Sequence, residues 1–126
     1  MPHLRELEAR WLKTRRVSRT YDYITTPKSS GYRGIHLIVH YDDTSVEVQL
    51  RTVVQHEWSV SVERVGGRIG EDLKGSRGPK EVLDFFSLAA TAMEIEERGR
   101  PVPQDLSGAV RAARVRAWPF MKKGAP

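Results

Sequence analysis

The chain has 126 residues, 39% of them hydrophobic and 29% charged, which suits one globular domain and leaves no core for a second independent unit. It has no cysteine, which excludes a disulfide framework, a thiolate metal site and a cysteine nucleophile. The longest apolar-plus-small stretch, Phe85 to Met93, falls far short of the roughly 20 residues a bilayer span needs, and the N-terminus lacks a secretory pattern, so a cytoplasmic protein with no membrane contact is expected. The net charge of +5 is unevenly spread. Positions 10–33 carry seven basic residues against one acidic, 34–97 six against twelve, and 98–126 seven against one. Such basic blocks attract phosphate, whether of a nucleotide or of a polymer.

Taken along the chain, Leu4, Leu7, Trp11 and Leu12 recur at helical spacing and predict an amphipathic helix over 3–12. A basic connector, 15–20, precedes the short β-prone run 21–24, and Lys28-Ser29-Ser30-Gly31 reads as a loop. Residues 34–41 and 45–51 both alternate, with Asp42-Asp43 as the turn between them. A two-residue turn sets Ile35 opposite Leu50, Leu37 opposite Val48 and Val39 opposite Val46 on one face. On the other it sets His36 opposite Gln49 and Ile38 opposite Glu47. Thr52 is a candidate N-cap for a helix carrying Val54, Trp58, Val62 and Val65, which Gly66-Gly67 is expected to stop. A loop rich in Gly, Lys and Arg follows, then a helix from Pro79 to about Glu97. Residues 98–126 read as a basic tail broken by Pro101, Pro103, Pro119, Gly124 and Pro126, in which only 109–118 could form a short helix.

The polar face of the hairpin carries the chemistry. The loop Lys28-Ser29-Ser30-Gly31-Tyr32-Arg33 supplies two cations, hydroxyls and an aromatic of exposed type, and it opens onto the strand of His36, which faces Glu47. Phosphates need such cations and hydroxyls, a purine needs a flat ring, and a carboxylate can hold Mg2+ or accept a hydroxyl proton. These are the parts of half a nucleotide site. On spacing alone a solvated sheet face is an equally available reading of Glu47, Gln49 and Arg51. No Gly-x-x-x-x-Gly-Lys-Ser/Thr occurs, so the site is not a P-loop.

Residues 21–36, Tyr-Asp-Tyr-Ile-Thr-Thr-Pro-Lys-Ser-Ser-Gly-Tyr-Arg-Gly-Ile-His, with Val46-Glu47-Val48-Gln49-Leu50-Arg51-Thr52 and Trp58, resemble the synthetase domain of RelA/SpoT-type alarmone synthetases. The family patterns run approximately DYI-x-x-PK-x-x-GYR-x-x-H and E-[VI]-Q-[IL]-RT. The likeness is strong over 21–65 and weak to 97. It implies an α+β fold, a mixed β-sheet flanked by helices and related to nucleotidyltransferases. It also implies transfer of diphosphate from ATP to the 3′-hydroxyl of GDP or GTP, with Mg2+. By that resemblance Tyr32 would stack on the acceptor guanine and Lys28 and His36 would lie near its phosphates. Glu47 would hold the metal and activate the hydroxyl, with Arg33, Gln49 and Arg51 in supporting roles. The family's upstream ATP-binding basic segment and metal aspartate have no match here. The expectation is therefore a truncated acceptor-nucleotide half, inactive alone, with 1–97 as the partial domain and 98–126 as the tail. A non-catalytic guanine-nucleotide-binding module and a related enzyme placing diphosphate on tRNA are the alternatives, and a homo-oligomer is open.

Overall fold

The computed structural model describes residues 2–122. Helix α1 (Pro2–Thr14) is followed by strands β1 (Val17–Asp22), β2 (Ile35–Tyr41) and β3 (Thr44–Leu50) and helix α2 (Val53–Ile69). A short 3-10 turn (Leu73–Gly75) then leads to α3 (Lys80–Glu97) and α4 (Gln104–Met121). The fold is α+β, a sheet flanked by helices as expected. Its described strands run in the order β1-β2-β3, with both pairings antiparallel.

The hairpin has the register that matched apolar faces demand: Ile35 pairs with Leu50, Leu37 with Val48, Val39 with Val46, His36 with Gln49 and Ile38 with Glu47. The two-residue turn is closed by Asp42 at φ 54°, a left-handed conformation that a short polar side chain tolerates. One face of the sheet buries Ile35, Leu37, Val39 and Leu50 against Leu4 of α1 and Ile24, with Trp11 packed alongside. The opposite face holds His36 and Glu47, and a second cluster adjoins it. That cluster joins Trp58 and Val62 of α2, Leu73 of the 3-10 turn, Val82, Phe86 and Ala90 of α3, and Ala117 and Met121 of α4 with Tyr32 from the loop before β2.

Three elements differ from expectation. The basic connector is mostly strand: β1 begins at Val17 and pairs along β2, with an irregularity between Val17 and Arg19. Its one arginine, Arg19, is tolerated because an edge strand exposes one side to water. Helix α2 runs through Gly66-Gly67 and ends at Gly70, whose φ of 71° makes the left-handed cap. Gly66 stays helical because the chain folds back over it: a Cβ there would lie 2.7 Å from the Glu71 carbonyl, and that residue's N–H donates to the Gly66 carbonyl at 2.9 Å. The basic tail contains an 18-residue helix, α4, of which the expected 109–118 is the middle. Pro103 sits at its N-cap, where a missing N–H costs nothing, and Pro119 falls in its last turn. Ala113 and Ala117 let α4 approach the helical core closely. Gly124 and Pro126 lie outside the described residues. Among the described residues no helix is long and apolar enough to cross a membrane.

Gly31 joins the two halves. It takes φ 99°, and a Cβ there would lie 2.9 Å from Cβ of Ala90 and 3.2 Å from the Trp58 ring. Gly31→Ala is expected to destabilise the fold by about 2–4 kcal/mol, combining left-handed strain with a clash against packed helices, as read from urea unfolding midpoints.

Candidate nucleotide site

The loop that carries the site is anchored by Asp22. Its Oδ1 accepts the backbone N–H groups of Ile24 and Thr25, each at 3.0 Å, while Oδ2 accepts the Thr25 hydroxyl and the Arg5 guanidinium, each at 2.9 Å. Partial burial works against the carboxylate's charge, but the hydrogen bonds from Arg5, Thr25 and Ile24 outweigh it and hold its pKa down at about 2. The first acidic residue of the motif is thus a turn-former that clips α1 to the end of β1. After Pro27 the chain makes a tight return, with the Gly31 N–H donating to the Lys28 carbonyl at 2.9 Å and the Lys28 N–H to the Tyr32 carbonyl at 3.1 Å. That return brings Lys28 alongside Tyr32.

Tyr32 is the centre of the site, and it is buried, at 4% exposure, where an exposed ring was expected. The reason is packing. Its ring meets Trp58 at a centroid distance of 6.4 Å, Tyr23 at 6.0 Å and His36 at 5.4 Å. The Lys28 ammonium stands 4.8 Å from the Tyr23 centroid and 5.7 Å from that of Tyr32, and the Lys74 ammonium stands 5.5 Å from Tyr32. The Tyr32 hydroxyl lies 2.6 Å from Nε2 of His36, and the Arg51 side chain also engages it. Burial raises the phenol's pKa and lowers that of His36, the latter assisted by Lys28, Arg51 and Lys74 and opposed by Glu47. A neutral imidazole protonated at Nδ1 fits both shifts. Its Nε2 accepts a hydrogen bond from the phenol, and its Nδ1–H turns toward Glu47, whose carboxylate is 3.7 Å from Nδ1.

Glu47 is half exposed on β3 and accepts a hydrogen bond from Gln49 at 2.7 Å. Lys28, Tyr32, His36, Glu47, Gln49 and Arg51 are therefore gathered in one place. Arg33 is not. Its side chain is buried beneath the C-terminal end of α3, 3.5 Å from Glu97 and 3.8 Å from Glu94, and Glu97 in turn accepts the hydroxyl of Thr52, the N-cap of α2. Arg33 thus braces the loop against two helices. Sequence reasoning missed Glu97, Glu63 and Lys74, which come from helices and a loop with no motif of their own, and gave no role to Tyr23, which stands inside the quoted motif. The one signal was the Gly-, Lys- and Arg-rich composition around Lys74.

The electrostatics favour an anion. Among the described residues no carboxylate lies within ion-pair distance of Lys28 or Arg51. A divalent metal fits less well: among the described residues no group of three His, Asp or Glu side chains could hold one, so Glu47 brings a single carboxylate. Clefts of about 380 Å³ lie on α4, beside Arg114 and Trp118, and between α2 and α3, beside Phe85 and Met93; neither touches this cluster.

Comparison with known proteins finds a family region and several solved structures of similar fold. Residues 4–64 match the family model described as a region found in RelA/SpoT proteins. GTP pyrophosphokinase YwaC of Bacillus subtilis is 29% identical over 83 residues, 60% of this chain and 37% of that protein. Small alarmone synthetase 2 of Bacillus subtilis superimposes with a TM-score of 0.60 at 28% identity, over 74% of this chain and 54% of that one. A GTP pyrophosphokinase family protein of Streptococcus pneumoniae gives 0.61 at 23% identity, over 91% and 58%. The Bacillus subtilis small alarmone synthetase 1, solved with its product pppGpp, gives 0.60 at 22% over 75% and 52%. The chain shares the fold of the matched part of these synthetases. It spans about half the length of these solved relatives and 37% of the curated one.

Two outcomes follow from the site's internal bonds. In an NMR titration His36 is expected to protonate below its ordinary value of about 6.5, and Tyr32→Phe, which removes the donor that favours the neutral ring, is expected to move it back up. Because the native pKa is the lower one, the unfolded chain takes the proton first, and stability contributed by His36 is lost as pH falls below about 6.5. Glu97→Ala, which strips Arg33 of its nearest counter-ion while leaving it buried, is expected to cost about 3–5 kcal/mol in urea unfolding, and Glu97→Gln less.

Proposed function

We propose that this chain forms the acceptor-nucleotide part of a RelA/SpoT-type alarmone synthetase, in which diphosphate passes from ATP to the 3′-hydroxyl of GDP or GTP. One observation carries the reading: Lys28 and Arg51, without carboxylate partners among the described residues, converge on an aromatic cluster beside Glu47. Two unpaired cations at a ring suit the phosphates and base of a nucleotide. The names of the matched proteins point to the same chemistry. In this reading Tyr32 and Tyr23 supply the ring surface for guanine, Lys28 and His36 face the phosphates, and Gln49 and Arg51 orient Glu47 and Tyr32. Glu47 accepts the proton of the attacking 3′-hydroxyl. Mg2+ accompanies the reaction in this family; the residues present give it one carboxylate oxygen, and its remaining ligands would come from substrate phosphates or from outside the described residues.

A second reading is favoured by that same shortage of carboxylates, namely a guanine-nucleotide-binding regulatory module that does not turn over. Calorimetric titration of the chain with GDP and GTP, followed by incubation with ATP and Mg2+, separates the two. Tyr32→Ala and Lys28→Ala are each expected to weaken GDP binding at least tenfold, about 1.4 kcal/mol or more, while Glu47→Gln keeps it within about threefold. Product from the wild type that falls by about two to four orders of magnitude in Glu47→Gln supports the enzyme. Saturable binding without product supports the module. GDP binding unchanged in Tyr32→Ala overturns both.

A further inference from the structure

The segment after α2 adds a side chain that the motifs do not contain. Leu73 is buried in the helical core, and the Asp72 side chain accepts the Gly75 N–H at 3.1 Å, so the turn carrying Lys74 is fixed at both ends. Ser76, at φ 62°, lies with its hydroxyl 3.1 Å from that of Ser29, which stitches this turn to the loop of Lys28. Lys74 thereby reaches the same Tyr32 ring as Lys28, 5.5 Å and 5.7 Å from its centroid. Two ammonium groups at one ring repel each other, and here only one of them is neutralised: Lys74 pairs with Glu63 of α2. The Glu63 side chain is 62% exposed, and such a water-facing pair holds weakly. A nucleotide phosphate, with more charge and more acceptor oxygens than one carboxylate, competes well for the same ammonium.

We propose that Lys74 is a phosphate-binding residue of the acceptor site, held by Glu63 as an internal counter-ion over Tyr32 until a guanine nucleotide takes that carboxylate's place. The inference rests on the guanine-nucleotide reading above and deepens it. Packing leaves Tyr32 4% exposed, and Lys74 and Lys28 both stand over its ring, so a nucleotide that reaches this ring meets both ammonium groups. Lys28 is exposed and has no carboxylate partner among the described residues, whereas Lys74 is partly exposed and paired with Glu63, so it is at Lys74 that one anion must be exchanged for another. Exchange of the Glu63 carboxylate for phosphate delivers a third cation, after Lys28 and Arg51, to the nucleotide. Glu63 is then left in water, where a lone carboxylate is well solvated.

The test is competition binding of guanosine, GDP and GTP to the full chain and to Lys74→Met, Lys74→Arg and Glu63→Gln. Lys74→Met is expected to weaken GDP and GTP about tenfold and guanosine less than twofold, with Lys74→Arg restoring most of the loss. Glu63→Gln is expected to strengthen GDP binding severalfold, more so at low salt, because it removes the competing anion. Equal losses for guanosine and GDP in Lys74→Met would show that the side chain only packs. Weaker GDP binding in Glu63→Gln would show that the pair only braces the loop. Either result overturns the proposal. GDP binding that is lost in Tyr32→Ala yet untouched in Lys74→Met overturns Lys74 alone, whereas no GDP binding by the wild type overturns the nucleotide reading and this inference with it.

Discussion

Burial of Tyr32 between the sheet and the helices is the constraint on which the rest of the site depends. Its ring belongs to the same cluster as Trp58, Val62 and Phe86, while its hydroxyl reaches back to His36 on β2. One side chain thus ties the helical core to the polar face of the hairpin. Burial in apolar surroundings favours the neutral form of both the phenol and the imidazole, so the two meet as neutral hydrogen-bond partners. The proton state of His36, and the direction in which its other nitrogen points, follow from packing several residues away.

The same wedge explains why cations gather there. Aromatic faces attract ammonium groups, and Lys28 and Lys74 come to the Tyr23 and Tyr32 rings from two different loops. Gly31 is what permits the arrangement, since only a residue without a side chain fits between Ala90 and Trp58 at a left-handed backbone angle. Beneath the loop the buried Arg33 ties it to the ends of α2 and α3 through Glu97 and Thr52. Buried ion pairs contribute little net stability against their desolvation, but they fix geometry, and here the geometry fixed is that of the nucleotide loop.

Two acidic residues of the motifs have separate destinies. Asp22 accepts four hydrogen bonds within 3.0 Å and is spent on a turn, so it has no free oxygen to offer a ligand. Glu47 accepts one, from Gln49, and keeps the rest of its carboxylate open to solvent beside His36. The difference lies in the surroundings, since Asp22 sits where backbone N–H groups need acceptors at the end of a strand and Glu47 sits in a ladder whose backbone groups are already paired. An open carboxylate next to unpaired cations is what a group-transfer site needs and what a turn does not.

The sequence by itself determined the hairpin, its register, the helix starting after Thr52, the helix ending near Glu97 and the family likeness, because each rests on local alternation, local caps or a contiguous motif. It also picked out Lys28, Tyr32, His36 and Glu47 as neighbours, since the register alone puts His36 and Glu47 on one face. Tertiary structure alone decided the rest. Tyr32 turns inward because α2 and α3, both later in the chain, close over it; α2 passes its glycines because the returning chain needs room at Gly66; α4 extends past the expected short helix because Met121, beyond its expected end, is buried in the helical core. Arg33 leaves the site for Glu97, and Lys74 enters it, through contacts between residues more than 40 positions apart. Such pairings have no periodicity to read, because they depend on which surfaces are left uncovered once each element has formed.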